Sequence, residues 1–174
     1  ETASAIGMEF TVATVAAGME KEIETIEERC TILHRKRLFI ESIGESVWPD
    51  GTTTTRYRFL HSLYQNFLYE RMSPGLRSRL HQRIADRQEQ GYRGGAQEIA
   101  LELAVHLERS HAYERAIPYF QQAGENALRQ SAPQEAIRHF MKGLDLLKTL
   151  SDDTKRSQRE LEFQLSLGVS LLTV

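Results

Sequence analysis

The sequence predicts a mostly α-helical protein in two parts, a mixed region with a short β-hairpin followed by an array of helical repeats. Three observations carry this. Apolar residues recur at three- and four-residue spacing from Lys21 to Arg37 and over most of residues 61–174. Two short runs, Leu38-Phe39-Ile40 and Thr55 to Leu60, break that period and read as strands. Two later segments share an alanine and a phenylalanine at one offset, Ala116 with Phe120 and Ala136 with Phe140. The chain has 174 residues, 40% apolar and 26% charged, enough for one or two domains with a real core. A formal net charge of -2 gives no global attraction to nucleic acid or to an anionic membrane, so local charge matters more.

Taken in order, Thr11 to Ala17 reads as a short helix, capped by Thr11, with Val12, Val15 and Ala16 as its apolar face and Gly18 as its end. Lys21 to Arg37 is a stronger helix that buries Ile23, Ile26, Cys30 and Leu33 or His34. Cys30 is the chain's single cysteine, so it has no partner for an internal disulfide or a metal site, and a buried structural thiol is expected. Residues 44–55 form a polar connection that turns at Pro49, Asp50 and Gly51 before the second strand. Short helices followed by a two-stranded hairpin follow the winged-helix order, placed here over residues 1–72, with a first helix lying mostly before Glu1 and ending near Ala5 or Ile6. The helix before such a wing reads DNA in many modules. Here it opens with five carboxylates against one lysine between Glu20 and Glu28, which repels phosphate. Its basic end, Arg35-Lys36-Arg37, follows the ordinary charge preference of a helix C-terminus. A structural or protein-contact role is the leading expectation, and a DNA-binding transcription regulator is the alternative.

His61 to Arg71 reads as a helix with Leu63, Phe67 and Leu68 inward. Met72-Ser73-Pro74-Gly75 breaks it, and Ser73 with Pro74 starts the next helix, which runs to about Gln90 on a buried stripe of Leu76, Leu80 and Ile84. Residues 73–95 are thus expected as a linking helix and a hinge at Gly91 and Gly94-Gly95. Arg79, Arg83 and Arg87 repeat beside the stripe, and Arg71 precedes them. Three readings stay open for these arginines: a solvated face or pairs with the acidic stretch 20–28, contact with a phosphate-rich partner, or a docking surface for another domain.

Residues 96–174 carry the repeats, with helices expected over 97–109, 113–130, 133–150 and from about 155 onward. Small alanines let helices approach, and the phenylalanines fill the gap one turn on. Gly124, Ala136 and Phe140 keep the glycine–alanine–aromatic offset of tetratricopeptide repeats. Leu161, Leu165, Gly168 and Leu172 place a further repeat helix at the end, after a loop over Ser151 to Thr154. Pro118 falls early in its helix, where unpartnered amides tolerate it. Such arrays bind proteins or peptides, so a plain interaction scaffold is a further alternative. The chain opens at Glu1 and stops within an apolar helical pattern, and a piece of a longer cytoplasmic protein is expected.

Catalytic and metal chemistry has little support in the residues. None of the six histidines, His34, His61, His81, His106, His111 and His139, pairs with another at metal-ligand spacing. Gly91 to Gly95 lacks the lysine and preceding strand of a phosphate loop, and no serine or cysteine sits in a nucleophile motif. We expect no enzyme in this chain by itself and no cofactor or metal of its own.

Five ordered blocks carry a resemblance: Ala3 to Thr11, Tyr57 to Gln65, Arg79 to Ala85, Glu102 to His106, and Ala116 to Glu125. Together they make the chain similar to bacterial multidomain signalling ATPases of the STAND type, often joined to adenylate cyclase, kinase or transcription-regulator domains. In those proteins a P-loop ATPase precedes a winged helix, and helical repeats follow. The resemblance implies ATP or ADP bound by the parent protein, an upstream ATPase domain as partner, and a protein or small ligand on the repeats. It also gives His61 a role. Related switches carry Met-His-Asp at the strand-to-helix junction, and their histidine reaches the phosphates of ADP. Leu60-His61-Ser62 stands at the matching place, with serine for aspartate, so the carboxylate is missing. Packing or capping is the other reading of His61.

Overall fold

The computed structural model describes residues 1–150 and 154–172, with the side chains of Thr154 and Lys155 left aside. It is mostly α-helical with a small three-stranded antiparallel sheet. The chain forms two compact units, Glu1–Gly95 and Ala96–Val174.

The first unit runs α1 (Thr2–Ile6), β1 (Glu9–Thr11), α2 (Val12–Met19), α3 (Ile23–Arg35), β2 (Ile40–Val47), β3 (Thr53–Phe59), α4 (Ser62–Glu70) and α5 (Pro74–Gly91). β3 is the middle strand, with β1 on one edge and β2 on the other. Phe10 faces Tyr57 across the first pair and Ile40 faces Phe59 across the second, with a bulge in β2 between Ser42 and Gly44. Alternation sets the two faces of the sheet. Phe10, Tyr57 and Phe59 point inward and meet Val12, Val15, Ile26 and Cys30 from α2 and α3. The outer face carries ion pairs, Arg56 with Glu9 at 2.7 Å and Arg58 with Glu41 at 2.6 Å.

Several expectations change here. β1 has no counterpart in the sequence reading, because three residues are too short to show a period, and it pairs only because β3 offers an open edge. The hairpin is longer than expected. β2 begins at Ile40 rather than Leu38 and continues to Val47, leaving the turn at residues 48–52, where Pro49, Asp50 and Gly51 do turn the chain. Leu38 and Phe39 stay outside the strand and exposed. α2 is capped by the Thr11 hydroxyl, which accepts from the Thr14 amide at 3.2 Å, but it does not end at Gly18. It runs on to Met19 and closes on Glu20 in a left-handed conformation, because Gly18 is packed beneath Thr2, Leu80 and Ile84.

α4 forms as expected but turns another side inward. It touches α1 and β3 through Leu68 and through Gln65, whose amide donates to the Ser4 carbonyl at 2.7 Å. Leu63 and Phe67, expected inside, are 66% and 60% exposed. α5 starts on the Ser73 cap with Pro74 in its first turn and buries Leu80 and Ile84 against Ala5 and Met72. The segment expected as a linking helix thus packs on α1 and α2 within the first unit. Gly91, expected at the hinge, is the last residue of α5 and lies against the Trp48 ring.

The second unit opens with a 3-10 turn, Ala96–Ile99, followed by α6 (Ala100–Arg109), α7 (Tyr113–Arg129), α8 (Pro133–Leu147) and α9 (Thr154–Leu171). Of the loop expected over Ser151 to Thr154, residues 151–153 lie outside the described residues and Thr154 already opens α9. Turns α6–α7 and α7–α8 repeat each other. His111 and Ser131 are both left-handed, and the following alanine amides, Ala112 and Ala132, bond back to Leu107 and Ala127 at 2.9 Å. Ala116, Phe120, Ala136 and Phe140 are all buried. Pro118 is the sixth residue of α7, past the unpartnered first turn, so the helix gives up one backbone bond and continues because Ile117 and Phe120 anchor it on both sides. α9 buries Phe163 and Ser170 and turns Leu161 and Leu165 of the expected stripe outward; Leu172, just past its end, is exposed too.

Close approach is what the glycines of this unit provide. A Cβ on Gly124 would stand 2.3 Å from the Phe140 ring, and one on Gly143 would stand 2.4 Å from the Phe163 ring. We expect Gly124→Ala and Gly143→Ala each to cost about 1–3 kcal/mol through overpacking. Gly168→Ala, where an added Cβ meets nothing within 4 Å, should instead gain about 0.5–1 kcal/mol from helix propensity. Urea unfolding midpoints at constant m-value separate the two outcomes.

Candidate functional site at the β3–α4 junction

The junction begins where β3 leaves the core. Phe59 is buried, Leu60 is exposed, and the Leu60 amide donates to the Phe39 carbonyl at 2.8 Å, which ties the junction to the residue before β2. His61 is extended and is the N-cap of α4. Its Nδ1 accepts the Leu63 amide at 3.1 Å, and its carbonyl accepts the Tyr64 amide at 3.1 Å. An accepting Nδ1 carries no proton, so in the neutral ring the proton sits on Nε2. The side chain is exposed, its ring set edge-on to Tyr64 at 6.4 Å. The capping histidine therefore keeps an Nε2–H donor that has no partner among the described residues, on an exposed side chain. Capping, the other reading of His61, is what the side chain does here; Ser62 is the first residue of α4, and the Leu63 and Tyr64 amides are both engaged by His61.

Beside His61 lies a surface that the sequence reading missed. Leu60, Leu63 and Phe67 are exposed, and Tyr64 meets Phe39 edge-on at 5.2 Å. The Arg71 guanidinium stands 5.6 Å from the Phe67 ring centre. A hollow of about 520 Å³ adjoins it, lined by His34, Arg35, Arg37, Ile40, Glu41 and Leu60. The available signal was an excess of apolar residues. Leu63 and Phe67 lie on one side of a nine-residue helix and Leu68 on another, more than one contact can bury.

The other arginines are arranged differently. Arg83 pairs with Glu20 at 2.7 Å and donates to the Gly18 carbonyl, which ties α5 to the end of α2, where the acidic stretch 20–28 begins. Arg87 binds Asp50 at 3.0 Å and the Thr52 hydroxyl at 2.7 Å, with its guanidinium 4.5 Å from the Trp48 ring centre. Arg79 is exposed on α5. Arg83 and Arg87 therefore hold the unit together, while Arg71 belongs to the surface at α4. Asp50 lies below its ordinary value of 3.8 because the Thr52 amide and hydroxyl bond its carboxylate, and Arg87 adds to this.

Cys30 is buried in the core, and burial, then the Glu27 carboxylate, push its thiol up to about 11. Such a thiol stays protonated and unreactive at neutral pH. Among the described residues no group of three or more His, Cys, Asp or Glu side chains could hold a metal ion, and no helix is long and apolar enough to cross a membrane. No protein-family model, curated protein or solved structure matches the chain.

His61→Ala should cost about 0.5–2 kcal/mol, the usual loss of an N-cap, and His61→Asp should recover most of it, read from thermal melting of the two variants. Asp50 generates a pH dependence. Its folded carboxyl is depressed, so its stabilisation is complete above the ordinary value of 3.8 and is lost as pH falls through the lower folded value. Asp50→Asn should flatten the unfolding midpoint against pH below about 5.

Proposed function

We propose that this chain is a non-catalytic coupling piece of a STAND-type signalling ATPase, linking a nucleotide switch to a repeat sensor. The observation that carries this reading is His61, an exposed side chain at a strand-to-helix junction whose cap uses Nδ1 and leaves the Nε2–H donor unengaged. A winged-helix identity for residues 1–72 is supported by the order helix, strand, two helices, two strands, and by a sheet with the last strand in the middle. A tetratricopeptide-like identity for residues 96–174 is supported by the twin turns and by the Gly124–Phe140 and Gly143–Phe163 contacts. Under this reading ADP belongs to the parent protein, and His61 contacts its phosphates in the closed state.

A second reading, a repeat scaffold for a protein or peptide, draws on the second unit. Gln97, Glu98, Asn126, Arg129 and Gln130 line an open polar hollow of about 580 Å³. DNA reading by α3 has weaker support, since Glu22, Glu24 and Glu28 are exposed along it.

The test is ADP retention by a protein that carries the ATPase domain ahead of residue 1. His61→Ala should weaken ADP binding about 10- to 100-fold, the worth of a hydrogen bond to a charged group. His61→Asp restores the cap but places a carboxylate against phosphate, so it should regain stability without regaining ADP. Unchanged retention in both variants would leave His61 a structural cap.

A further inference from the structure

We propose that the exposed apolar face running from Phe39 across Leu60 to Leu63, Tyr64 and Phe67 docks an acidic amphipathic helix of a protein partner. This does not rest on the nucleotide role of His61. The face is continuous, since Phe39 and Tyr64 are in ring contact, the Leu60 amide is bonded to Phe39, and Leu63 and Phe67 are one turn apart on α4. It is also held in place at a cost. Arg37 and Phe39 both adopt left-handed backbone, φ 51 and φ 67, which bulky side chains avoid. That conformation keeps Phe39 outside β2 and edge-on to Tyr64 rather than in the core. Large apolar side chains left outward on a rigid frame mark a contact surface.

Charge selects the partner. Arg35 and Arg37 line the hollow beside Leu60, Lys36 lies between them in the chain, and Arg71 covers Phe67. Among the described residues none of these four cations is in an ion pair. Of the nearby acids, Glu41 is held by Arg58, Glu70 lies on α4, and Glu24, Glu27 and Glu28 share a second hollow with Arg35, so the rim cations outside that acidic hollow are Lys36, Arg37 and Arg71. An apolar centre with a basic rim is complementary to a helix that carries leucine-type anchors on one side and carboxylates around them. An anionic membrane is the other chemistry with these features, and it is disfavoured because α4 itself, Ser62–Glu70, carries no lysine or arginine along its polar side.

The probe is a synthetic 18-residue helix with leucine on one face and glutamate elsewhere, followed by fluorescence anisotropy against the whole chain. We expect saturable binding that weakens with salt, and slowed amide exchange in residues 60–71 of the unaltered protein. Leu63→Ser and Phe67→Ser, both at outward positions, should weaken binding at least tenfold while melting within a few degrees of the parent, and Arg37→Glu should do the same. A helix with lysine in place of glutamate should not bind. Absence of binding, equal binding of the lysine helix, or protection confined elsewhere in the chain would overturn the proposal. Sedimentation with phosphatidylcholine vesicles containing phosphatidylserine, in place of peptide binding, would overturn it in favour of a membrane contact.

Discussion

The central strand β3 is the constraint on which the first unit depends. Both of its edges are paired, and its inward residues, Tyr57 and Phe59, are shared by every layer packed against the sheet. Phe10 lies 6.1 Å from Tyr57 and 5.5 Å from Phe59, so the three rings form one packed group between β1 and β3. The helices α2 and α3 close over that group through Val12, Val15, Ile26 and Cys30. Since β3 leads directly into His61, the position of the junction is set by the core, and the outward histidine rests on buried aromatic packing rather than on a flexible loop.

The second unit is held by a different rule. Helix α7 receives the Phe140 ring at Gly124, and α8 receives the Phe163 ring at Gly143. Phe140 and Phe163 then meet edge-on at 6.2 Å, so successive contacts reinforce one another. A repeat built this way depends on near-neighbour contacts, and each helix presents a new surface for whatever lies beside it.

At the junction, one side chain sets the start of α4. The Nδ1 cap holds the exposed His61 ring and leaves its Nε2–H unengaged, and the exposed side of α4 continues across Leu63 and Phe67. A nucleotide contact at His61 and a protein contact at Phe67 would therefore be transmitted through the same nine-residue helix. Coupling would then consist of α4 having partners on two sides, with Leu68 and Gln65 as its fixed anchor.

Much of this was legible in the residues. Thr11 and Ser73 capped where a short hydroxyl precedes an apolar period, and helices α5 to α8 followed their three- and four-residue spacing closely. Gly124 with Phe140 was visible through its glycine–alanine–aromatic offset, because close approach requires a small residue at a definite register, whereas Gly143 with Phe163 was not. Other features depended on what lay opposite in space. β1 is three residues long and exists only where β3 has a free edge; Gly18 continues a helix because α5 passes over it; and α4, apolar on more than one side, could not declare whether Leu63 or Leu68 faced the core. Local sequence determined where helices begin, where turns fall and which residues are small enough to be crossed. Tertiary packing alone decided which apolar face was used, because a periodicity defines a face without saying which neighbour will cover it.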